Sequence, residues 1–292
     1  MQMLNIAQHP RVAVAIINWR QPAMTLSAVE SVLGQSYEVK TILVVDNGSG
    51  DGSPALLKNG LSSFGSKTTL LNNKTNLGFG GGCNRALREI LIADYDFVWL
   101  LNNDADPARD CLQALILKMQ SFDKTPGIVG SWLIDPDEHH EGHYGSWMHP
   151  VTMACGNVTD ESQLQYSYSW VTAASMLVSV PALKEVGLFD ERFFMYWEDA
   201  DLNMRMREKG FEIAGAQDAI VYHSAGTSSI KSPISRYVWH FQSQRIWLTK
   251  HHSHPRFSRL LLTVKYFMKS LLDLDFGRLR ALIKVLFTAE QR

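Results

Sequence analysis

Asp96-Phe97-Val98-Trp99-Leu100-Leu101-Asn102-Asn103-Asp104-Ala105-Asp106-Pro107 is the stretch whose reading decides the fold. Its first half is a short apolar and aromatic run between polar flanks, the pattern of a buried strand. Two carboxylates one residue apart follow, and then a proline that cannot extend a ladder. Hard oxygen ligands at the carboxyl end of a strand in an α/β sheet sit where a divalent cation and a phosphorylated ligand bind. A polar Asn/Asp turn closed by proline is the other reading of the same residues. The surrounding chain has to choose between them.

Outward from this strand the chain alternates. Val12 to Ile17 is a β-branched strand ending at Asn18-Trp19, and Thr25 to Leu33 follows at helical spacing with Thr25 placed as N-cap. Thr41 to Val45 reads as a strand ending at Asp46-Asn47-Gly48-Ser49, Pro54 to Leu61 as a helix, and Thr68 to Leu71 as a strand. The loop Asn76-Leu77-Gly78-Phe79-Gly80-Gly81-Gly82 then runs into a helix from Cys83 to Ala93. After the Asp-x-Asp turn come a helix, Asp110 to Gln120, and a strand, Ile128 to Ile134. Alternation over roughly 135 residues predicts a mainly parallel, doubly wound α/β sheet with ligands at the carboxyl ends of its strands. Asn18, Asp46, Asn76, Asp104 and Asp106 then share one edge, and their company favours the metal reading.

Asp135 to Ser169 is polar and holds His139, His140, His143 and His149. Their irregular spacing, without cysteine partners, fits a solvated loop or hairpin better than a metal cluster. Trp170 to Val180 reads as an apolar strand and Pro181 to Val186 as a helical turn. Then Phe193-Phe194-Met195-Tyr196-Trp197 runs into Glu198-Asp199-Ala200-Asp201 at the start of a helix reaching Arg207. Acidic residues in a first helical turn are expected on dipole grounds. The aromatic crowd before them is not, and it would desolvate a carboxylate and raise its pKa toward that of a general base. Glu212 to Tyr222 forms a last strand ending in His223, before Gly226-Thr227-Ser228.

The bulk numbers set bounds. A chain of 292 residues, 46% hydrophobic and 20% charged, is an ordinary globular protein of one large domain or one domain with an appendage. Three scattered cysteines make neither a disulfide framework nor a zinc site, which points to a reducing setting. No leader opens the chain, and no uncharged apolar run reaches the roughly 18–20 residues of a membrane span. The net charge of -1 hides an asymmetry: residues 1–230 hold 16 Lys/Arg against 26 Asp/Glu, and residues 231–292 hold 12 against 3. From Ser235 onward the pattern is of two or three basic amphipathic helices with a break at Asp275-Phe276-Gly277. They read either as an interfacial anchor on an anionic surface or as an appendage packed on the sheet.

Taken together, these motifs resemble those of an inverting glycosyltransferase of the GT-A fold, in the family that holds bacterial rhamnosyl- and galactofuranosyltransferases. The resemblance rests on Ile17-Asn18-Trp19, Val45-Asp46-Asn47-Gly48-Ser49, Asn76 to Asn84, Leu101 to Pro107 and Phe189 to Leu202, in the family's order over about residues 10–230. It implies a nucleotide-sugar domain at 1–230 and a basic helical extension at 231–292. It implies that Asn18, Trp19, Asp46, Asn76, Gly78, Gly80, Gly81, Asn84, Asn103 and Asp104 meet a dTDP- or UDP-sugar. By the same resemblance Asp104, Asp106 and His223 would hold Mg²⁺ or Mn²⁺; for His223 the alternative is a hydrogen-bonding core histidine. Asp199 matches the family's general base with Glu198 behind it, and Tyr196, Trp197 and Asp201 would meet the acceptor.

The resemblance further implies transfer of a sugar, L-rhamnose first and galactofuranose second, to a hydroxyl of a glycan acceptor, polyprenyl-linked, in O-antigen or capsule type polysaccharide synthesis. The expected place is the cytoplasm, peripheral on the inner face of the cell membrane through the basic helices. No nucleic acid is expected, and a homodimer stays open. A nucleotidyltransferase is disfavoured because Ile17-Asn18-Trp19-Arg20 lacks glycine, and a non-catalytic nucleotide-sugar-binding assembly protein would not need Asp104, Asp106 and Asp199 together.

Overall fold

The computed structural model describes residues 9–122, 126–136, 142–223 and 233–288. His139, His140 and the Gly226-Thr227-Ser228 segment lie outside them. The chain opens with strand β1 (Val12–Asn18), helix α1 (Pro22–Leu33), β2 (Thr41–Asp46), α2 (Ser53–Ser62), β3 (Thr68–Asn72) and α3 (Gly78–Leu91). It continues with β4 (Phe97–Asn102), β5 (Ala105–Pro107), α4 (Cys111–Gln120) and β6 (Pro126–Ile134). These strands are apolar on both sides because both faces are covered. Val12, Val14 and Ile16 pack with Ile42, Val44 and Trp99 under α1, α2 and α4. Ala13, Ala15, Val98 and Leu100 pack on the opposite face under Cys83, Leu87 and Ile90 of α3.

Next come β7 (Gly145–Met148), β8 (Cys155–Val158), β9 (Ser169–Val171), β10 (Ser175–Ser179), α5 (Val180–Val186), α6 (Glu198–Glu208) and β11 (Glu212–His223). The main sheet runs β3-β2-β1-β4-β10-β6-β11-β5, and β8-β7-β9 form a small second sheet. Pairing is parallel from β3 through β4 and between β6 and β11, while β10 runs antiparallel to both its neighbours. Trp99 at the centre donates its indole N–H to Ser175 Oγ at 3.0 Å, and Ser175 meets Ser131 at 2.7 Å, so a buried polar relay joins the three middle strands.

Several expectations shift here. The first helix starts at Pro22, which pre-sets the helical φ at the first turn. Thr25 therefore lies inside it, bonding Asn18 Oδ1 and Gln21 O instead of capping. The glycines open α3 rather than preceding it. The Asp-x-Asp segment is itself an edge strand, β5, antiparallel to β11 with Pro107 opposite Val221, a position where a missing N–H does no harm. The polar stretch before Ser169 carries the small antiparallel sheet, and the apolar run expected over 170–180 is broken at Thr172-Ala173-Ala174.

The chain then forms α7 (Pro233–His251), α8 (Pro255–Leu272) and α9 (Phe276–Thr288). These helices bury one side against the body and expose another. Phe241, Trp247, Leu262 and Leu282 are fully buried in a third core with Phe193, Trp197 and Trp170 from the body. Burial of each such aromatic contributes roughly 2–3 kcal/mol. On the outer side Phe257, Leu260, Val264, Met268 and Leu271 of α8 recur every three or four residues and are all exposed.

Gly78 has φ of 78°, and a Cβ there would stand 2.0 Å from Phe194 O. Gly78→Ala is expected to lower stability by roughly 2–4 kcal/mol, from the left-handed strain and the forced shift of Phe194 together. Thermal unfolding followed by circular dichroism measures it, with the neighbouring Gly50→Ala as control, since no atom lies within 4 Å of a Cβ there.

Candidate active site

The tips of β1, β2 and β4 are tied side by side. Asn103 Nδ2 donates to Thr25 Oγ1 (3.2 Å), Thr25 Oγ1 to Asn18 Oδ1 (2.8 Å), and Asn18 Nδ2 to Asp46 Oδ2 (2.8 Å). Ser49 donates to Asp46 from both Oγ (2.6 Å) and its backbone N (3.1 Å), closing the turn after β2. Asp46 is 1% exposed and so serves first to fix this turn. Trp19 is half-buried beside it, with the Arg20 guanidinium 5.0 Å over its ring.

Sequence reasoning gave no role to Asn47, yet Asn47 joins this turn to the glycine segment. Its Nδ2 donates to Gly78 O (2.8 Å) and Asn76 Oδ1 (3.2 Å), and its Oδ1 accepts from Asn73 Nδ2 and Leu77 N. The missing side chains of Gly80, Gly81 and Gly82 make room for Phe189, Leu77 and Ile17, so they let α3 approach its own protein neighbours. Asn84 is redirected in the same way. It donates to Phe189 O and Glu191 Oε1 at 2.9 Å and accepts from Phe189 N at 3.0 Å. Its amide is occupied in stapling the 189–191 turn to α3, which corrects its expected contact with a nucleotide.

At the tip of β4, His223 Nε2 lies 3.2 Å from Asp104 Oδ1 and 3.3 Å from Asn102 Nδ2. Asp106 does not join them. The antiparallel pairing of β5 with β11 turns it toward α1, where Ser31 Oγ donates to it at 2.7 Å. The three-residue metal set thus reduces to Asp104 and His223, and among the described residues no group of three or more His, Cys, Asp or Glu converges. A carboxylate and an imidazole still suit a divalent cation of the manganese type that draws its other ligands from water or phosphate. His149 instead accepts from the backbone of Val151 and Thr152, holding a turn.

Asn102 and His223 open onto a cavity of about 710 Å³ between the sheet and α7–α9, which Glu198 and Asp199 also line. The chain enters it through two consecutive non-glycine residues in the left-handed region, Tyr196 (φ 68°) and Trp197 (φ 70°). Such conformations cost on the order of 1–3 kcal/mol each and persist where packing dictates them. Here Tyr196 stacks on His240 at 4.0 Å, and Trp197 packs between Trp170 (5.1 Å) and Trp247 (5.5 Å). Trp197 is 5% exposed, so its ring shapes the cavity wall more than it offers a sugar platform.

The turn delivers Glu198 and Asp199 as the first residues of α6. Asp199 accepts from Ala200 N (2.8 Å) and, across the break between β9 and β10, from Ala173 N (3.3 Å). Asn203 clamps that break, accepting from Val171 N and donating to Val171 O and Asp199 O. Burial pushes the Glu198 carboxyl well up, and the Asp199 charge adds to the rise. Burial raises Asp199 as well, opposed by the Ala200 and Ala173 N–H groups and the Thr172 hydroxyl. Glu198 Oε2 has no hydrogen-bond partner among the described residues. Burial thus drives both carboxyls up, Glu198 the more strongly because Asp199 keeps three hydrogen-bond donors against it.

Asp201 faces away from the cavity, which corrects its expected acceptor contact. Fully buried, it accepts from Arg205 Nε (2.9 Å), Lys250 Nζ (2.5 Å) and His251 Nε2 (2.8 Å). Lys250 also reaches Asp190 at 2.7 Å, and Arg205 meets the carbonyls of Val186, Gly187 and Leu188. This ion network welds α6 to α7.

The model of the family described as Glycosyl transferase family 2 matches residues 13–187. An N-acetylglucosaminyl-diphospho-decaprenol L-rhamnosyltransferase of Mycobacterium tuberculosis is 27% identical over 238 residues, 73% of this chain and 76% of that protein. A mannosyltransferase from Pyrobaculum calidifontis in complex with GDP-Man and Mn²⁺ superposes with TM-score 0.61 at 17% identity, covering 98% of this chain and 78% of that one. GalNAc-T7 with UDP, GalNAc and Mn²⁺ gives TM-score 0.62 at 14% identity, over 82% of this chain and 48% of that one. The mixed sheet with its flanking helices is thus the GT-A fold.

Burial alone would raise Asp201, but His251, Arg205 and Lys250 outweigh it and hold its pKa below the usual 3.8. Its stabilisation is present above pH 3.8 or so and is lost as pH falls through the lower folded value. Asp201→Asn is expected to cost roughly 3 kcal/mol at neutral pH, by leaving buried cations unpaired. It also flattens the loss of stability below about pH 4, read by urea unfolding across that range.

Proposed function

The chain belongs to glycosyl transferase family 2 and is a glycosyltransferase; from that premise we propose that it transfers L-rhamnose from a dTDP- or UDP-sugar to a hydroxyl of a lipid-linked glycan, with inversion. The observation that carries this reading is Asp199, buried beside Glu198 and held by the Ala200 and Ala173 N–H groups, in a cavity that begins at the β4 tip. The rhamnosyltransferase relative supports the sugar. Galactofuranose or another hexose is the alternative on the same fold.

In this reading the nucleotide lies over the linked tips at Asn18, Trp19, Asp46, Asn76 and Asn103. The turn around Gly78 and Gly80–Gly82, closed by Asn47, fixes the floor beneath it. Asp104 and His223 would hold Mg²⁺ or Mn²⁺, which when bound offsets the charge of the departing nucleoside diphosphate. Asp199 takes the proton of the acceptor hydroxyl as that oxygen bonds to the anomeric carbon. The bond from that carbon to the diphosphate oxygen breaks on the opposite face, and the electron pair leaves with the nucleotide. Glu198, protonated in this reading, keeps a second negative charge away from the base.

We assign the outward apolar side of α8 to an anionic bilayer surface, flanked as it is by Arg256, Lys265 and Lys269. No helix among the described residues is long and apolar enough to cross a membrane, so contact would be peripheral, on the inner face. Vesicles containing phosphatidylglycerol should co-sediment the protein. Leu260→Asp with Met268→Asp should weaken that binding at least tenfold, and unchanged binding would remove α8 from the interface.

Transfer from dTDP-rhamnose with added Mn²⁺, followed by nucleotide release, tests the chemistry. Asp199→Asn should lower kcat by about 10²–10⁴-fold, the range of a general base. Glu198→Gln copies the protonated acid and should stay within about tenfold of the parent. The reverse ranking would move the base to Glu198. Because Asp199 titrates above the ordinary aspartate value and must be ionised, kcat/KM should fall on the acid side with an apparent pKa above 3.8.

A further inference from the structure

The far wall of the cavity belongs to the C-terminal helices and carries cations that the transfer chemistry leaves unused. Arg236 of α7 and Lys265 and Lys269 of α8 all line the space that Asp199 lines. Arg278 of α9 lines it too, but Asp273 and Asp275 each lie 3.0 Å from its guanidinium, and it stacks on Tyr237. The other three have no carboxylate partner among the described residues. Lys265 donates only to Met153 O at 2.6 Å, and Arg236 stands near the Tyr196 hydroxyl and opposes the rise in its pKa. Three cations therefore line the cavity that Glu198 and Asp199 also line. Like charges held together without counter-ions mark a place built for an anion.

Their position narrows the anion. Lys265 and Lys269 lie one turn apart, and each directly follows a residue of the exposed stripe, Val264 and Met268. The cations therefore sit on the seam where the cavity meets the outward apolar face. Glycan lies inward of that seam, at Asp199, and lipid lies outward. A diphosphate joining the two would rest on the seam itself, with charge-assisted hydrogen bonds from ammonium and guanidinium groups. In the transfer reading above, the nucleotide's own diphosphate is met at the other end of the cavity, by the ion that Asp104 and His223 would hold.

We propose that Arg236, Lys265 and Lys269 form a subsite for the diphosphate that joins the acceptor glycan to its lipid. The glycan and lipid ends rest on the transfer reading above; the anion subsite itself is tested without any sugar donor. Calorimetric titration of the full chain with farnesyl diphosphate, in detergent and with saturating dTDP in the donor site, reads it directly. Binding is expected in the presence of dTDP, weaker by about tenfold or more for Lys265→Gln with Lys269→Gln and restored by Lys265→Arg with Lys269→Arg. Arg280→Gln with Lys284→Gln removes two cations outside the cavity and should leave it unchanged.

Competition by dTDP would place the ligand in the donor site and overturn the proposal. Equal binding of farnesol would reduce the site to an apolar groove, and equal loss in the outer pair would reduce it to general attraction for anionic headgroups. Either result also overturns it. A protein that binds farnesyl diphosphate as expected but transfers no sugar would sink the transfer reading and leave the subsite standing.

Discussion

Everything on the acceptor side depends on the strained turn at Tyr196 and Trp197. Two aromatic residues in the left-handed region cannot hold that shape alone. The turn exists because Trp170 from the small sheet and Trp247 from α7 close on Trp197, while His240 stacks on Tyr196. The reward is local: the chain reverses so sharply that Glu198 and Asp199 begin α6 lining the cavity. The break between β9 and β10 supplies the answering piece, a short stretch of backbone whose Ala173 amide points at Asp199.

The two halves of the site are built on different physics. At the β1, β2 and β4 tips, neutral side chains form a hydrogen-bonded row, fixed by strand register, that needs no charge to hold it. Around α6 the arrangement is electrostatic. Asp201 and Asp190 are clamped ionised by Lys250, Arg205 and Arg192, while one turn away burial pushes the Glu198 carboxyl well up. Carboxylates three residues apart on one helix are thus driven in opposite directions, and between them burial raises Asp199 against the pull of its N–H donors.

The sheet was legible because strands covered on both faces must be continuous apolar runs, and their polar ends stand out. The burial of Asp199 was legible for a related reason: an aromatic crowd just before a helix start marks one that is not solvated. What stayed hidden was whatever depends on partners distant in the chain. Asp201 looks like Asp199 until Lys250 and His251 are placed beside it. Asn84 looks like a ligand-binding amide until its bonds to Phe189 are seen, and Asn47 has no visible role until its bond to Gly78 is. The small sheet is too short and too polar for period-two patterning to show. A signal did exist for the far wall: Arg236, His240 and Gln244 recur every four residues on α7, and all three line the cavity.

The aromatic clasp over Trp197 has a consequence for the order in which this molecule comes into being. Trp247, Lys250 and the cavity residues of α7–α9 are translated after the parts of the cavity that lie between β4 and β11. A nascent chain that has emerged to β11 already possesses the strands whose tips carry Asn18, Asp46 and Asp104, yet the left-handed turn still lacks its clasp. On the proposed roles, competence to hold a nucleotide would precede competence to position an acceptor. An emerging chain would pass through a stage at which it can bind without reacting, and domains that fold as they leave the ribosome make such staging real. The C-terminal helices would act as a delayed arming step for the chemistry proposed at Asp199.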